Sequence, residues 1–389
     1  MPCAVGVARV YRLLGEHDLC ASECHRINKK NGDNEEVSMM LAVLTFSQGQ
    51  FDQAVFHFSH LLEKNRTNYT CLENLIRLLF RTGRRGEIPK HLAGAERHAG
   101  GYHGSAGLSY CKGLHEYLTN NPYKALGFLN AARKDEVWGT KAIELMVNIY
   151  LNPDKEILWD TNGQNRSDFL DSASTCSRLL KELKGPRTVK QNVLEAYALM
   201  VSRVKQDVEA ALGKLIDIFN QASEGSSDNV PVLLAMAVGF LLINQTPKAR
   251  NQLKRISKLQ FCHEDAEEFE RAWLTLVELY IQGGKFDMAQ ELCRKCLTYN
   301  QSCAKAWEHL GAIMEREQAY QDAAEHYHRA WHTDDCVDAH IGFKLAFNYL
   351  KAKRYVEAID VCRAVLDKYP DYPKIRREIL EKARAAVRA

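Results

Sequence analysis

The residues able to do chemistry come in short, isolated groups. Cys293-Arg-Lys-Cys296 has the spacing of half a zinc site or of a dithiol redox pair. A structural zinc needs four ligands, and no second pair stands at finger spacing. Both thiols fall where a helical repeat wants small or medium apolar side chains, so position favours packing. Cys20 and Cys24 beside His25 are equally unsupported. His57-Phe-Ser-His60 and His326-Tyr-His328 lack both the HExxH context and a third ligand. The run "GGYHGSAG" (100–107) has no Gly-Lys-Ser/Thr and follows no strand, so it reads as a turn and not a phosphate cradle. No nucleophile, base and orienting partner assemble. The sequence predicts no enzyme, no cofactor and no metal.

Bulk properties narrow the remaining classes. With 52 basic and 49 acidic residues among 389, the formal charge of +3 supplies no field that would draw the chain to nucleic acid or an anionic membrane. No apolar run reaches the roughly 18 residues of a bilayer span, so direct membrane insertion is not expected. The start "MPCAVGVARVYRLLGEHD" is broken by Arg9 and Arg12 and makes a poor signal peptide. The twelve cysteines are scattered, which suits a reducing, cytosolic-type compartment. Nine prolines avoid the strongest periodic segments, leaving long helices permitted almost everywhere.

The elements that carry these residues repeat. With Ala304 as position 1, Trp307 is position 4, Leu310 and Gly311 are 7 and 8, and Met314 is 11; Tyr320, Ala323, Tyr327 and Ala330 take 17, 20, 24 and 27. That is the tetratricopeptide pattern. Units beginning at Glu270 and Ala339 keep the register, the second after one extra residue. Weaker units begin at Glu35, Tyr69, Ala106 and Val230, and residues 140–186 and 189–224 look like further helix pairs. About ten units result, an all-α tetratricopeptide-repeat superhelical solenoid of antiparallel helix pairs with almost no room for strands. Residues 1–151 read as degenerate repeats, 152–169 as an inserted loop and 170–229 as weak helical repeats. Residues 230–372 read as clear repeats and 373–389 as a capping helix. Small residues at positions 8, 20 and 27 let neighbouring helices approach, and large ones at 4, 11, 17 and 24 fill the space between.

A solenoid of this kind works through its surfaces. Helix A positions 2, 5, 9 and 12 should line a concave groove. In the clear units these include Arg271, Leu274, Glu278, Lys305, Glu308, Phe343, Phe347 and Leu350, a change from charged to aromatic towards the C-terminus. The apolar end suits a partner helix or loop. Ile157, Leu158 and Trp159 give the inserted loop an apolar tip, a candidate docking point or a fold-back contact. Lys344 and Asn348 are four apart, as in a carboxylate clamp, but they occupy positions 6 and 10, off the groove. "KARNQLKRISK" (248–258) reads as a solvated basic face, and the acids of "HEDAEEFE" (263–270) as helix-start residues favoured by the macrodipole. The first helix lacks a polar cap, which suggests an array once longer on that side.

Several stretches are not repeat consensus: "YCKGLHEY" (110–117), "LNAARKDEVWG" (129–139), "QTPKARNQLKRISK" (245–258), "DAEEFERAWL" (265–274), "MEREQAYQDAA" (314–324), "GFKLAFNYLKAKRYVEAIDVC" (342–362) and "YPKIRREILEKARA" (372–385). Through them the whole chain resembles the C-terminal part of the tetratricopeptide repeat protein 21 family, the long repeat subunit of intraflagellar transport complex A. The resemblance implies a non-catalytic structural subunit serving retrograde ciliary transport and cilium assembly. It implies WD40 and helical-repeat subunits of that complex as partners, with ciliary cargo adaptors as further ones. It also implies residence at the cilium and basal body, in the cytoplasm, associated with the cytoskeleton. A general adaptor or co-chaperone module outside cilia is the alternative.

Overall fold

The computed structural model describes residues 2–388 except 32–33, 99–104, 153–165, 184, 186 and 223–228. The chain divides into two compact units, Met1–Ala272 and Trp273–Ala389. Among the described residues there is no strand.

Unit 1 is a series of helix pairs. They run α1 Pro2–Leu13 with α2 His17–Asn31, α3 Glu35–Ser47 with α4 Phe51–Lys64, and α5 Tyr69–Arg81 with α6 Ile88–His98. Then come α7 Ala106–Leu118 with α8 Pro122–Ala132, α9 Gly139–Leu151 with α10 Arg166–Glu182, α11 Val189–Met200 with α12 Lys205–Ala222, and α13 Val230–Leu242 with α14 Thr246–Lys258. Helix α15, Ala266–Gln282, begins in unit 1 and continues into unit 2. Unit 2 adds α16 Phe286–Tyr299, the pair α17 Ala304–Arg316 and α18 Tyr320–Thr333, the pair α19 Ala339–Lys351 and α20 Tyr355–Lys368, and the terminal α21 Glu381–Arg388. A π-helical turn, Arg376–Leu380, leads into α21.

Helix starts fall where the repeat register puts them at Glu35, Tyr69, Ala106, Val230, Ala304 and Ala339. Short polar side chains cap many of the first turns. Asn34, Asn68, Ser105, Asn229 and Asp338 each accept from a backbone N–H two or three residues on. Thr188 and Gln191 form a full capping box. The register misses at α15, which starts at Ala266 and not Glu270. Ala266 and Phe269 are buried there, so the extra turn has apolar contacts to hold it.

Most first helices of these pairs end in the same corner. Two residues past the helix stands one left-handed residue: Gly49, Gly83, Asn120, Asn244, Gly284, Gln318 or Lys353. The next N–H then reaches five residues back, as in Gln50 to Thr45, Lys285 to Tyr280, Ala319 to Met314 and Arg354 to Tyr349. This is the Schellman closure, which satisfies carbonyls that the helix end would orphan.

Packing between helices explains position 8. A Cβ on Gly311 would lie 2.9 Å from the Tyr327 ring, and one on Gly113 2.8 Å from Leu129. Both glycines are places where helix A meets the position-24 side chain of helix B without room for a methyl. The cysteines singled out above pack as well: Cys20, Cys24, Cys293 and Cys296 are all buried. Among the described residues no group of three or more His, Cys, Asp or Glu could hold a metal. The terminal segment covers the end of the core with Ile375, Ile379 and Leu380 at the π-helical turn and Ala383 of α21, all buried in one cluster with residues of α18–α20.

Candidate interaction faces

A charged cleft of unit 1 lies on the face made by the first helices of its pairs. Glu73 and Arg77 of α5, Tyr110 of α7, Lys141 of α9, Lys190 of α11 and Glu267 of α15 line one cleft. Glu73 is its anchor. Only 7% exposed, it accepts from the Tyr110 hydroxyl at 3.1 Å and from Lys141 Nζ at 2.7 Å, with Arg77 3.5 Å away. Gly107 makes room for this arrangement, since a Cβ there would run into Tyr69 and Trp138. The Trp138 ring in turn lies under Lys141 and 5.2 Å from the Tyr110 ring.

Across the cleft, Arg77 pairs with Glu267, Arg81 with Glu270 at 3.3 Å, and Lys190 with Glu268 at 3.5 Å. For Arg77, Glu267 and Lys190 burial works against the charge, yet neighbours outweigh it. The Glu267 carboxyl stays below its ordinary range because Arg77, Arg81 and Lys190 surround it. Lys190 is held above its ordinary value by Glu268, Glu267 and Glu144. Glu144 differs from Glu267: burial wins there and raises its carboxyl despite a hydrogen bond from Gln191. The acids of 263–270 therefore do more than favour a helix start.

The first helices of unit 2 carry a mixture of polar and aromatic groups. Glu315 accepts from Lys344 Nζ at 2.8 Å and Asn348 Nδ2 at 3.0 Å, and the Tyr327 hydroxyl joins them. These bonds keep its carboxyl below the usual range against the opposing effect of burial. Lys305 and Glu308 pair at 3.0 Å. His309 lies 3.9 Å from Glu278, but burial pushes the imidazole down to about 4, so it is neutral at pH 7 and the contact is not an ion pair. Phe343, Phe347 and Leu350 are half-buried on the core, Phe343 with its ring 6.0 Å from Tyr372 and Phe347 beneath Lys351.

The predicted groove residues thus separate. Arg271 belongs to unit 1, where its guanidinium sits over the Tyr197 ring. Glu278, Lys305, Glu308, Phe343, Phe347 and Leu350 belong to unit 2 and are accessible in part. Leu274 needs correcting: at 5% exposure it is core and cannot line a groove. Residues 272–277 are all buried, so α15 is enclosed on every side there and no position in that stretch reaches solvent. Ile157, Leu158 and Trp159 lie outside the described residues. Glu73, Arg77, Lys141, Glu144 and Lys190 were missed, although the repeat numbering reaches them. In units starting at Tyr69, Thr140 and Val189 they fall on positions 2, 5 and 9.

Two family models match the chain: "Tetratricopeptide repeat protein 21 C-terminal ARM domain" over residues 175–384 and "TT21 fifth ARM repeats domain" over residues 35–151. Human tetratricopeptide repeat protein 21B is 43% identical over 98% of this chain, and mouse tetratricopeptide repeat protein 21A is 40% identical over 98%. The Caenorhabditis elegans homolog is 29% identical over the same share. In each case the match occupies 30% of the relative, so the chain spans about three-tenths of the length of these proteins. Among solved structures, the crystal structure of the APC/C hetero-tetramer Cut9-Hcn1 aligns over 98% of this chain and 89% of that one. Its TM-score is 0.33 at 15% identity, too distant to bear on this chain.

Proposed function

Because the chain belongs to the tetratricopeptide repeat protein 21 family, we propose that it is a non-catalytic scaffold within intraflagellar transport complex A, acting in retrograde ciliary transport and cilium assembly. The observation that carries the reading is the placement of both family models along one helical-repeat array. Its partners on this reading are the WD40 and helical-repeat subunits of the complex, with ciliary cargo adaptors as further ones. Its place is the cilium and basal body, and the cytoplasm where it associates with the cytoskeleton. A solenoid suits such work, because each helix pair adds surface without adding a separate core.

The general adaptor or co-chaperone reading finds little support in unit 2. Lys344 and Asn348, the pair with clamp-like spacing, are both committed to Glu315. A partner carboxylate would have to displace that side chain.

Capture of recombinant WD40 subunits of the complex by residues 1–389 tests the scaffold reading. A Phe343→Glu/Phe347→Glu variant, checked for helical content, tests the apolar surface of unit 2. Capture lost only in the variant places a docking surface there. Capture by both moves the contact elsewhere on the array. No capture by either protein defeats the assignment to this complex for this part of the chain.

A further inference from the structure

A residue in a repeat array normally touches its own pair and the adjacent ones. The pairings of Arg77 with Glu267 and of Arg81 with Glu270 break that rule, joining residues 190 and 189 positions apart. Between them, in sequence, lie four complete helix pairs of unit 1. Unit 1 therefore curls until α5 and the start of α15 face each other, and long charged side chains bridge the space.

We infer that these ion pairs form a clasp that holds unit 1 curled and commits the charges lining its inner cleft to one another. Each part of the clasp is fixed from behind. Arg77 is steadied by Glu73, and Glu73 by Tyr110 and Lys141. Glu267 and Glu268 stand in the first turn of α15, where the helix dipole favours a carboxylate. Lys190 reaches Glu268 from α11, adding a second strut. On this face Arg77, Arg81, Lys141 and Lys190 each already meet a carboxylate. An extended peptide entering the cleft would have to break those pairs first. The inner face of unit 1 is thus a closure, and partners of this unit dock on its outer face or its ends. The inference stands apart from the ciliary reading and survives if that reading fails.

The clasp is made partly in the open, since Glu267 keeps 48% of its side chain accessible. It should therefore respond to salt and to charge reversal without being essential to folding. The test uses the whole chain with Arg77→Glu, Glu267→Arg and the exchanged pair Arg77→Glu/Glu267→Arg. Hydrogen exchange is read by peptide, and the radius of gyration by small-angle scattering. Either single reversal should expand the protein and speed exchange in α5 and the first turns of α15 by roughly two- to fivefold, the range expected for such a pair. The exchanged pair should recover most of the loss. Wild type at about 1 M salt, where the Debye length is about 3 Å, should move the same way as a single reversal. Should a reversal fail to fold, Glu267→Gln keeps the shape and removes only the charge. Unchanged dimensions and exchange in all variants would overturn the clasp. So would faster exchange spread evenly through α17–α20, or an exchanged pair no better than the singles.

Discussion

Placing a methyl on Gly311 pits two effects of known size against each other. In an isolated helix Gly→Ala stabilises by about 1 kcal/mol. Here the new Cβ would stand 2.9–3.0 Å from three atoms of the Tyr327 ring, against about 3.5–4.0 Å for ordinary contact. The ring is 1% exposed and its hydroxyl is tied to Glu315, so it cannot slide away without loosening that bond. Overpacking of this kind costs about 1–3 kcal/mol. The net expectation for Gly311→Ala is a loss of about 0–2 kcal/mol in unit 2. Gly127→Ala is the control, because a Cβ at that helical position meets nothing within 4 Å. It should gain about 0.5–1 kcal/mol. Two units make a single unfolding free energy ill-defined, so local hydrogen exchange is the proper assay. Amides of α17 and α18 should lose protection in Gly311→Ala, while those of α8 gain it in Gly127→Ala. Equal gains at both sites would refute the packing account of position 8.

Other outcomes follow from the same geometry. The Glu315 carboxyl is depressed in the folded protein, so its contribution is present above the ordinary carboxylate range, about pH 4.3, and fades as pH falls through the folded value. Glu315→Gln should therefore weaken unit 2 at pH 7, and the difference from wild type should close in acid, as read by circular dichroism across a pH series. Among the described thiols, Cys262 is exposed and Cys336 half-exposed, whereas burial pushes Cys24, Cys71, Cys176, Cys293 and Cys362 up to about 12. Maleimide labelling of the native protein should reach Cys262 and Cys336 well before these five, with peptide mapping as the readout. Gln318 carries a left-handed backbone with φ 62°, so Gln318→Gly should raise protection at the α17–α18 corner by up to about 1 kcal/mol.

Much of this protein was legible in its residues, and the reasons are local. The Trp, Leu-Gly, Tyr and Ala of 304–330 mark a register, and that register locates helix starts even in units where few consensus residues survive. Gly311 and Gly113 mark tight packing by being glycine at position 8 of the repeat, where helix A meets helix B. Corners at Gln318 and Lys353 were harder to see, because a left-handed turn there is imposed by the capping bonds and not advertised by glycine or asparagine. The early start of α15 is hidden because Ala266 and Phe269 precede Glu270, where the register places the start of that unit. The charged cleft was half legible. Glu73, Arg77, Glu144 and Lys190 occupy groove positions, but the pairing of Arg77 and Lys190 with Glu267 and Glu268 depends on how the intervening helix pairs curl, which no local pattern encodes.

The recurrent corner has a consequence for how such arrays change length. Gly284 and Gln318 have the same backbone handedness and the same return bond, and they stand one repeat apart. Cutting at both and rejoining would delete a whole helix pair while leaving an intact corner at the scar. Length changes elsewhere need a different outlet, and the link from α18 to α19 provides one. Its extra residue is absorbed by two successive left-handed residues, Asp335 and Cys336, while the corners on either side stay the same. Around this link the corners within the pairs α17–α18 and α19–α20 thus behave as fixed joints and the connection between the pairs as an adjustable one. The added residue there leaves the return bonds of Ala319 to Met314 and of Arg354 to Tyr349 intact.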